Sequence, residues 1–315
     1  MKALPMSLIL FALLVAVSHP LPAQVTAEKS EKGVVVKIDG KPFTEYLTEV
    51  DGKPILWPII GPTGKPMTRA FPMIEDIEGE RHDHPHQASF WFTHAEVNGS
   101  NFWSIKAKED ILGTTRHGEF RRIDSGKAAT IVTVNDWIGH DGRKVLEDER
   151  VIEFGTIGDS RYIDFTITLK ATEGPVTFGD TKEGTFGVRV AATMKVDAKL
   201  GGKIVNSEGQ TDLDAWGRPA AWVDYHGPVE GETVGIAILN HPSSFRFPTP
   251  WHVRTYGLFA ANPFGLSDFP DPVESGEYTL KRGEDMTLRY RVIFHRGTEK
   301  DADIASLFNA YAGKQ

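Results

Sequence analysis

The sequence contains no cysteine. That absence excludes a disulfide framework, a cysteine zinc ribbon, an iron–sulfur cluster and a thiol nucleophile, so any metal must be held by His, Asp or Glu. An excess of positive charge is missing too: 35 Lys and Arg stand against 43 Asp and Glu, a formal charge of −8 at pH 7. A nucleic-acid partner is therefore not expected, because counterion release needs a basic surface. Long apolar runs are scarce. Residues 8–17 are apolar throughout, but a membrane span needs about 20. Lys2 precedes this run and Pro20, Pro22 and Ala23 follow it. This is the layout of a secretory signal peptide at residues 1–23. The mature chain, residues 24–315, is expected to be exported, periplasmic or secreted, as a single domain with no membrane span.

Helical periodicity is also rare, and period-two alternation takes its place. Ile163, Phe165, Ile167 and Leu169 alternate with Asp164, Thr166, Thr168 and Lys170; Met286, Leu288, Tyr290, Val292 and Phe294 repeat the pattern. Val188, Val190, Ala192 and Met194 alternate again, as do Val234, Ile236 and Ile238. Each such run predicts a strand. Asp39-Gly40, Asp51-Gly52 and Asp141-Gly142 are hairpin turns. The turn 282–285 is expected to join residues 278–281 to the last strand as a C-terminal hairpin. One helix is expected, over residues 301–311, where Ile304, Leu307, Phe308 and Tyr311 share a face. The fold class is thus all-β, a large antiparallel two-sheet β-sandwich with a short C-terminal helix. A simple seven-strand sandwich takes only ~100 residues, so the length suits a wider supersandwich.

Three stretches break the alternation and are dense in His, Arg, Trp and carboxylate. The first holds His82, Asp83, His84, His86 and His94, with Trp91, Asn98 and Trp103. In an extended chain His82, His84 and His86 would share one face, and Pro85 disfavours helix at His84. Imidazoles so grouped suit general acid–base work near neutral pH, or a metal. A two-His-and-Glu cupin pattern is not met, since Glu96 lies ten residues after His86. The second stretch holds Asp180, Lys182, Glu183 and Arg189 among Gly179, Gly184 and Gly187. Either carboxylate could serve as a base tuned by the cations. The third holds His241, then His252, Arg254 and Tyr256, which alternate and so project from one face; Asp224 follows Trp222 in similar style. Polar groups beside aromatic rings suit a sugar, whose ring stacks on Trp and whose hydroxyls bond to Arg, His and Asp.

At these same residues the chain resembles a family of exported bacterial proteins labelled "methane oxygenase PmoA", in essence a domain of unknown function. The resemblance lies in Asp83-His84-Pro85-His86 with Trp91-Phe92, residues 97–103, residues 180–184 with 187–190, residues 222–225, and His241-Pro242 with residues 248–265. Together these span nearly the whole mature chain. One departure is Gln87, where relatives commonly carry a further His. The label implies no activity here, because particulate methane monooxygenase subunits are membrane proteins. The resemblance implies a secreted β-sandwich of the carbohydrate-active, galactose-mutarotase-like kind.

The leading expectation is a carbohydrate-active hydrolase, lyase or epimerase acting on an oligo- or polysaccharide. His84, His86, Glu183, Asp180 and His252 are the expected catalytic groups. His82, Asp83, Trp91, Asn98, Trp103, Lys182, Arg189, Asp224, His241, Arg254 and Tyr256 are the expected substrate contacts. No cofactor is required by this reading. Two alternatives stay open: an iron- or copper-dependent oxidoreductase with a divalent metal on His84, His86 and a carboxylate, and a non-catalytic glycan-binding module.

Overall fold

The computed structural model describes residues 24–106, 110–270 and 275–313. The expected signal peptide lies outside them. Two eight-stranded antiparallel sheets face each other. The first has the order β1 (Val25–Lys29), β2 (Gly33–Ile38), β3 (Lys41–Val50), β4 (Lys53–Leu56), β5 (Phe90–His94), β11 (Gly184–Arg189), β16 (Leu258–Ala261), β15 (Trp251–Val253). The second has the order β12 (Lys203–Asn206), β13 (Trp222–Val229), β14 (Glu232–Asn240), β18 (Asp285–Arg296), β9 (Ser160–Lys170), β8 (Lys144–Ile157), β7 (Ala129–Ile138), β6 (Thr114–Asp124). A two-stranded ribbon pairs β10 (Val176–Phe178) with β17 (Tyr278–Leu280).

The alternation in the sequence decides which residues meet between the sheets. Ile163, Phe165, Ile167 and Leu169 of β9 stand opposite Val292, Tyr290, Leu288 and Met286 of β18, and all eight are buried in one core. Phe90, Phe92, Phe186, Val188 and Phe259 of the first sheet close that core from the other side. Such cross-strand apolar rows fix the register, because a one-residue slip would turn every one of them outward. At Asp39-Gly40 both φ angles are positive, 50° and 74°. This is the type I′ geometry that matches strand twist.

Three expectations about elements are corrected. The C-terminal hairpin does not form, since β18 is already flanked by β9 and β14 and β17 pairs with β10 instead. Its turn is tied to the end of β9, where Gly283 N–H donates to the Ala171 carbonyl at 2.8 Å. The strand through Val188 stops at Arg189, and Met194 N–H donates to the Ala191 carbonyl at 3.0 Å in a turn. The helix, α1 (Ile304–Ala312), starts three residues later than periodicity suggests, because the Asp303 carboxylate caps it by accepting from Ser306 N–H. Ile304 and Tyr311 of α1 pack on Tyr162, Leu239 and Ile293, on the outer face of the second sheet. The outer face of the first sheet carries a different cluster, which includes Ile55, Trp91, Trp103, Leu258 and Ala260. That face holds the site.

Candidate active site

Strand parity builds the floor. Trp91 stands opposite Gly187, Gly187 opposite Ala260, and Ala260 opposite His252, so one row crosses four strands. Gly187 is required there by contact: a Cβ on it would lie 2.6 Å from Cζ2 of Trp91. Above the floor lies a cleft of about 470 Å³ lined by His84, His86, Glu183, His252, Arg254 and Tyr256, with Trp103 and Lys182 at its walls. Chain segments some 170 positions apart meet in this cleft. Its volume is within the range of small-molecule pockets.

The histidine loop is not the extended run expected. His84 adopts a left-handed backbone, φ 45°, and Gln87 N–H closes a turn onto the His84 carbonyl at 2.9 Å. Proline disfavours right-handed helix at His84 but leaves the left-handed region open, which His tolerates better than most residues. Arg69, buried beneath the loop, shapes it. Its guanidinium donates to the carbonyls of Asp83 (2.8 Å) and His84 (2.9 Å) and to Asp83 Oδ1 (2.7 Å). Arg189 Nη2 donates to the same Oδ1 at 3.0 Å. Burial raises the Asp83 carboxyl, but Arg189 and Arg69 outweigh it and hold the group below the usual carboxylate range. Its second oxygen is 3.2 Å from Nδ1 of His84. An ionised Asp83 there favours the tautomer with hydrogen on Nδ1, so Nε2 of His84 is free to accept a proton. The His84 ring lies parallel to that of Tyr256, centroids 5.4 Å apart. His86, beside Trp103, is pushed down to about 3 by burial and by the charge on Lys53. It is neutral at pH 7.

The opposite wall has its own fixed imidazole. Nδ1 of His252 lies 2.7 Å from the Lys182 carbonyl, so Nδ1 carries the hydrogen and Nε2 the lone pair. Burial pushes His252 down to about 4. Glu183, about two-fifths exposed, has Oε1 3.7 Å from Lys182 Nζ. Burial raises the Tyr256 phenol, keeping it protonated as a donor. The Arg254 guanidinium sits over the rings of Trp216, at 5.2 Å, and Tyr256, at 5.8 Å.

Several expected site residues lie elsewhere. The Asp180 carboxylate accepts from Ser267 N–H (3.1 Å) and Gly276 N–H (2.6 Å), tying two loops together outside the cleft. His82 stacks on Phe71, centroids 4.7 Å apart, and bonds the Glu75 carbonyl. Trp91 and Arg189 are buried beneath the site rather than in its wall. Arg189 donates to Gln87 Oε1 and Asp83, and lies over Tyr256 at 4.8 Å. Gln87 thus serves as the acceptor for a buried arginine. Asn98 bonds the Pro175 carbonyl in a separate hollow. His241 bonds Ser243 and meets Tyr311 of α1 at 5.0 Å. Asp224 belongs to the second sheet, between His226 (2.7 Å) and His295 (2.6 Å).

Sequence reasoning missed Arg69, Gln87 as a bonding partner, and Lys53. Lys53 is the least foreseeable: its Nζ is buried without a hydrogen-bond partner, and burial lowers it to about 8. No periodicity signals such a residue. Lys53 shares the outer face of the first sheet with Ile55, and its burial there is visible only once β4 is placed.

The metal alternative finds a candidate triad, but not at His84 and His86. Among the described residues, no third His or carboxylate joins His84 and His86 closely enough to complete a metal site. Among the described residues the one triad with that spacing is Asp224, His226 and Glu299, whose donor atoms lie within 4.8 Å of one another. It stands on the second sheet, away from the cleft. It can also be read as a hydrogen-bonded network, because the Asp224 carboxylate already accepts from both imidazoles.

Solved structures to which the chain is similar include a mutant of heparan sulfate lyase HepC from Pedobacter heparinus, at TM-score 0.36 and 9% identity, over 88% of this chain and 35% of that one. The galactosidase domain of alpha-galactosidase-sucrose kinase AgaSK gives TM-score 0.39 and 10% identity, over 87% and 40%. Alpha-galactosidase AgaA from Geobacillus stearothermophilus gives 0.36 and 12%, over 87% and 40%. The chain spans two-fifths or less of the length of these proteins. No curated protein matches the sequence. A family model covers residues 33–309, and the chain accordingly belongs to DUF6807, a family of unknown function.

Proposed function

We propose that the chain is an exported carbohydrate-active enzyme, a hydrolase, lyase or epimerase, whose chemistry is done in the cleft on the first sheet. One observation carries this reading: His84, His86, Glu183, His252 and Arg254, from three distant segments, line a single cleft together with the rings of Trp103 and Tyr256. Aromatic walls offer a sugar ring a stacking surface, and the polar groups offer its hydroxyls partners.

His84 is the base in this scheme. Its Nε2 takes the substrate proton while Nδ1–H stays on Asp83, whose charge stabilises the imidazolium that forms. Arg69 and Arg189 hold Asp83 ionised and in place. Tyr256, kept protonated by burial, supplies the returning proton, and the Glu183 carboxyl in the cleft wall is its acid–base partner. His252 and His86, both neutral near pH 7, accept hydrogen bonds from hydroxyls without adding charge.

The test is turnover of an oligosaccharide panel by the full chain and by His84→Gln and Glu183→Gln. His84 and Glu183 are each about two-fifths exposed, so neither variant should shift the melting temperature by more than about 2 °C, the range of surface substitutions. The expected result is at least a hundredfold loss of kcat/KM, as for removal of a general acid or base. Turnover that survives both substitutions overturns the assignment. Binding without product, unaffected by either, favours a glycan-binding module.

A further inference from the structure

Three arginines lie in or under the cleft, and two of them are consumed. Arg69 spends its donors on Asp83 and on loop carbonyls. Arg189 spends its donors on Gln87 and Asp83. Arg254 differs. It lines the cleft and is held between Trp216 and Tyr256, yet its guanidinium has neither a carboxylate nor a hydrogen-bond partner among the described residues. Contact with two rings holds the guanidinium in place while its N–H groups stay unused.

The charge balance around it is lopsided. Glu183 is the carboxylate in the cleft wall, and Lys182 stands 3.7 Å from it. Asp83 is shared by two arginines. Lys53, buried beside the floor, has no acceptor either. Asp268 stands 3.8 Å from Lys182 as well, so the lysine of the wall is met twice, and Arg254 is the cleft cation left without a carboxylate partner among the described residues. A fixed, unpaired guanidinium in a partly desolvated cleft is poor at recognising a neutral hydroxyl and well suited to an oxyanion, which it can grip through two parallel N–H···O bonds.

We infer that the cleft takes an anionic sugar, with the oxyanion of that sugar seated on the Arg254 guanidinium. This deepens the carbohydrate reading above and rests on it. A uronate carboxylate and a sulfate ester present the same chemistry to the fork, and the experiment separates them.

Binding is measured by calorimetry at low salt, with the full chain and with Arg254→Met and Arg254→Lys. The probes are an oligogalacturonate, the same oligomer with its carboxyls reduced to alcohols, a sulfated neutral oligosaccharide, and citrate as an anion that is not a sugar. The expected result is a preference of at least tenfold for one charged oligosaccharide over the reduced oligomer. Which charged probe wins identifies the oxyanion. Arg254→Met should abolish that preference with an unchanged melting temperature, and Arg254→Lys should retain part of it, because charge remains but the fork does not. Equal binding of charged and reduced oligomers overturns the inference while leaving the carbohydrate reading intact. A preference that survives Arg254→Met overturns it as well, as does failure of every charged sugar to bind at millimolar concentration. Citrate binding as tightly as the charged sugars, lost in Arg254→Met, supports the oxyanion seat and counts instead against a sugar substrate.

Discussion

Single residues in this protein carry opposite energetic signs within one small region. Arg69 is buried and bonded to the Asp83 carboxylate and to backbone carbonyls of the histidine loop. Arg69→Met would leave those acceptors unpaired, and a loss of about 2–4 kcal/mol is expected from urea denaturation, somewhat under a fully buried ion pair because Asp83 is partly exposed. Lys53 is the reverse case, a buried ammonium without a partner. Lys53→Met keeps the apolar stem and removes the charge, so it should raise stability by about 1–3 kcal/mol. The same substitution should move the His86 titration upward in an NMR pH series, since Lys53 is the leading charge that depresses it. A Lys53→Met protein that is less stable than the parent would mean that the ammonium has an acceptor in solution.

Elements place these residues through register. The row from Trp91 to His252 exists because β5, β11, β16 and β15 pair without a bulge at that level. Gly187 is its narrowest point. Gly187→Ala should cost about 1–3 kcal/mol by overpacking against the Trp91 ring, and it should impair ligand binding more than a surface substitution of equal cost, because the floor of the cleft is displaced. Thermal melts paired with calorimetry separate the two effects. The strands themselves were legible: β9 and β18 follow the alternation of Ile163 to Leu169 and Met286 to Phe294 almost residue for residue. Their partners were not. The turn at 282–285 reads as a hairpin locally, but both neighbours of β18 come from far along the chain, and no local signal reports an edge that is already occupied.

At the scale of the whole molecule, buried neutral imidazoles set the response to acid. His94 is fully buried, with Nε2–H donated to the Gly179 carbonyl at 2.8 Å, and burial pushes it down to about 4. His252 is likewise lowered to about 4 and His86 to about 3. The unfolded chain takes up these protons near 6.5, and the folded chain resists until near 4. Their contribution to stability is therefore complete above about pH 6.5 and is lost as pH falls toward 4. His94 alone accounts for on the order of 3 kcal/mol of this loss. His295 does not oppose the trend in this window: Asp224 raises it, so its stabilisation is fully present below 6.5. The urea midpoint is expected to fall steadily from pH 7 to pH 4, and His94→Gln should flatten that slope. A midpoint independent of pH over this range would show that these imidazoles are reached by water.

The sequence by itself determined the class of the fold, a few of the strands (β9, β14 and β18 among them), the three polar stretches and the C-terminal helix, because alternation, turn chemistry and helical spacing are local properties written over a few residues. It also marked His84, His86, Glu183, His252 and Arg254 as residues without a scaffold rhythm. Only the tertiary structure decided which of the polar residues share a cleft. Asp180 and Glu183 are three positions apart, yet one ties loops together and the other lines the site. His82 and His84 diverge in a loop whose backbone is left-handed at His84 itself, φ 45°. Asp224 resembles the other site residues in sequence but belongs to the opposite sheet. Proximity across a sheet depends on pairings between distant segments, and those are set by the burial of the whole core rather than by any stretch of chain alone.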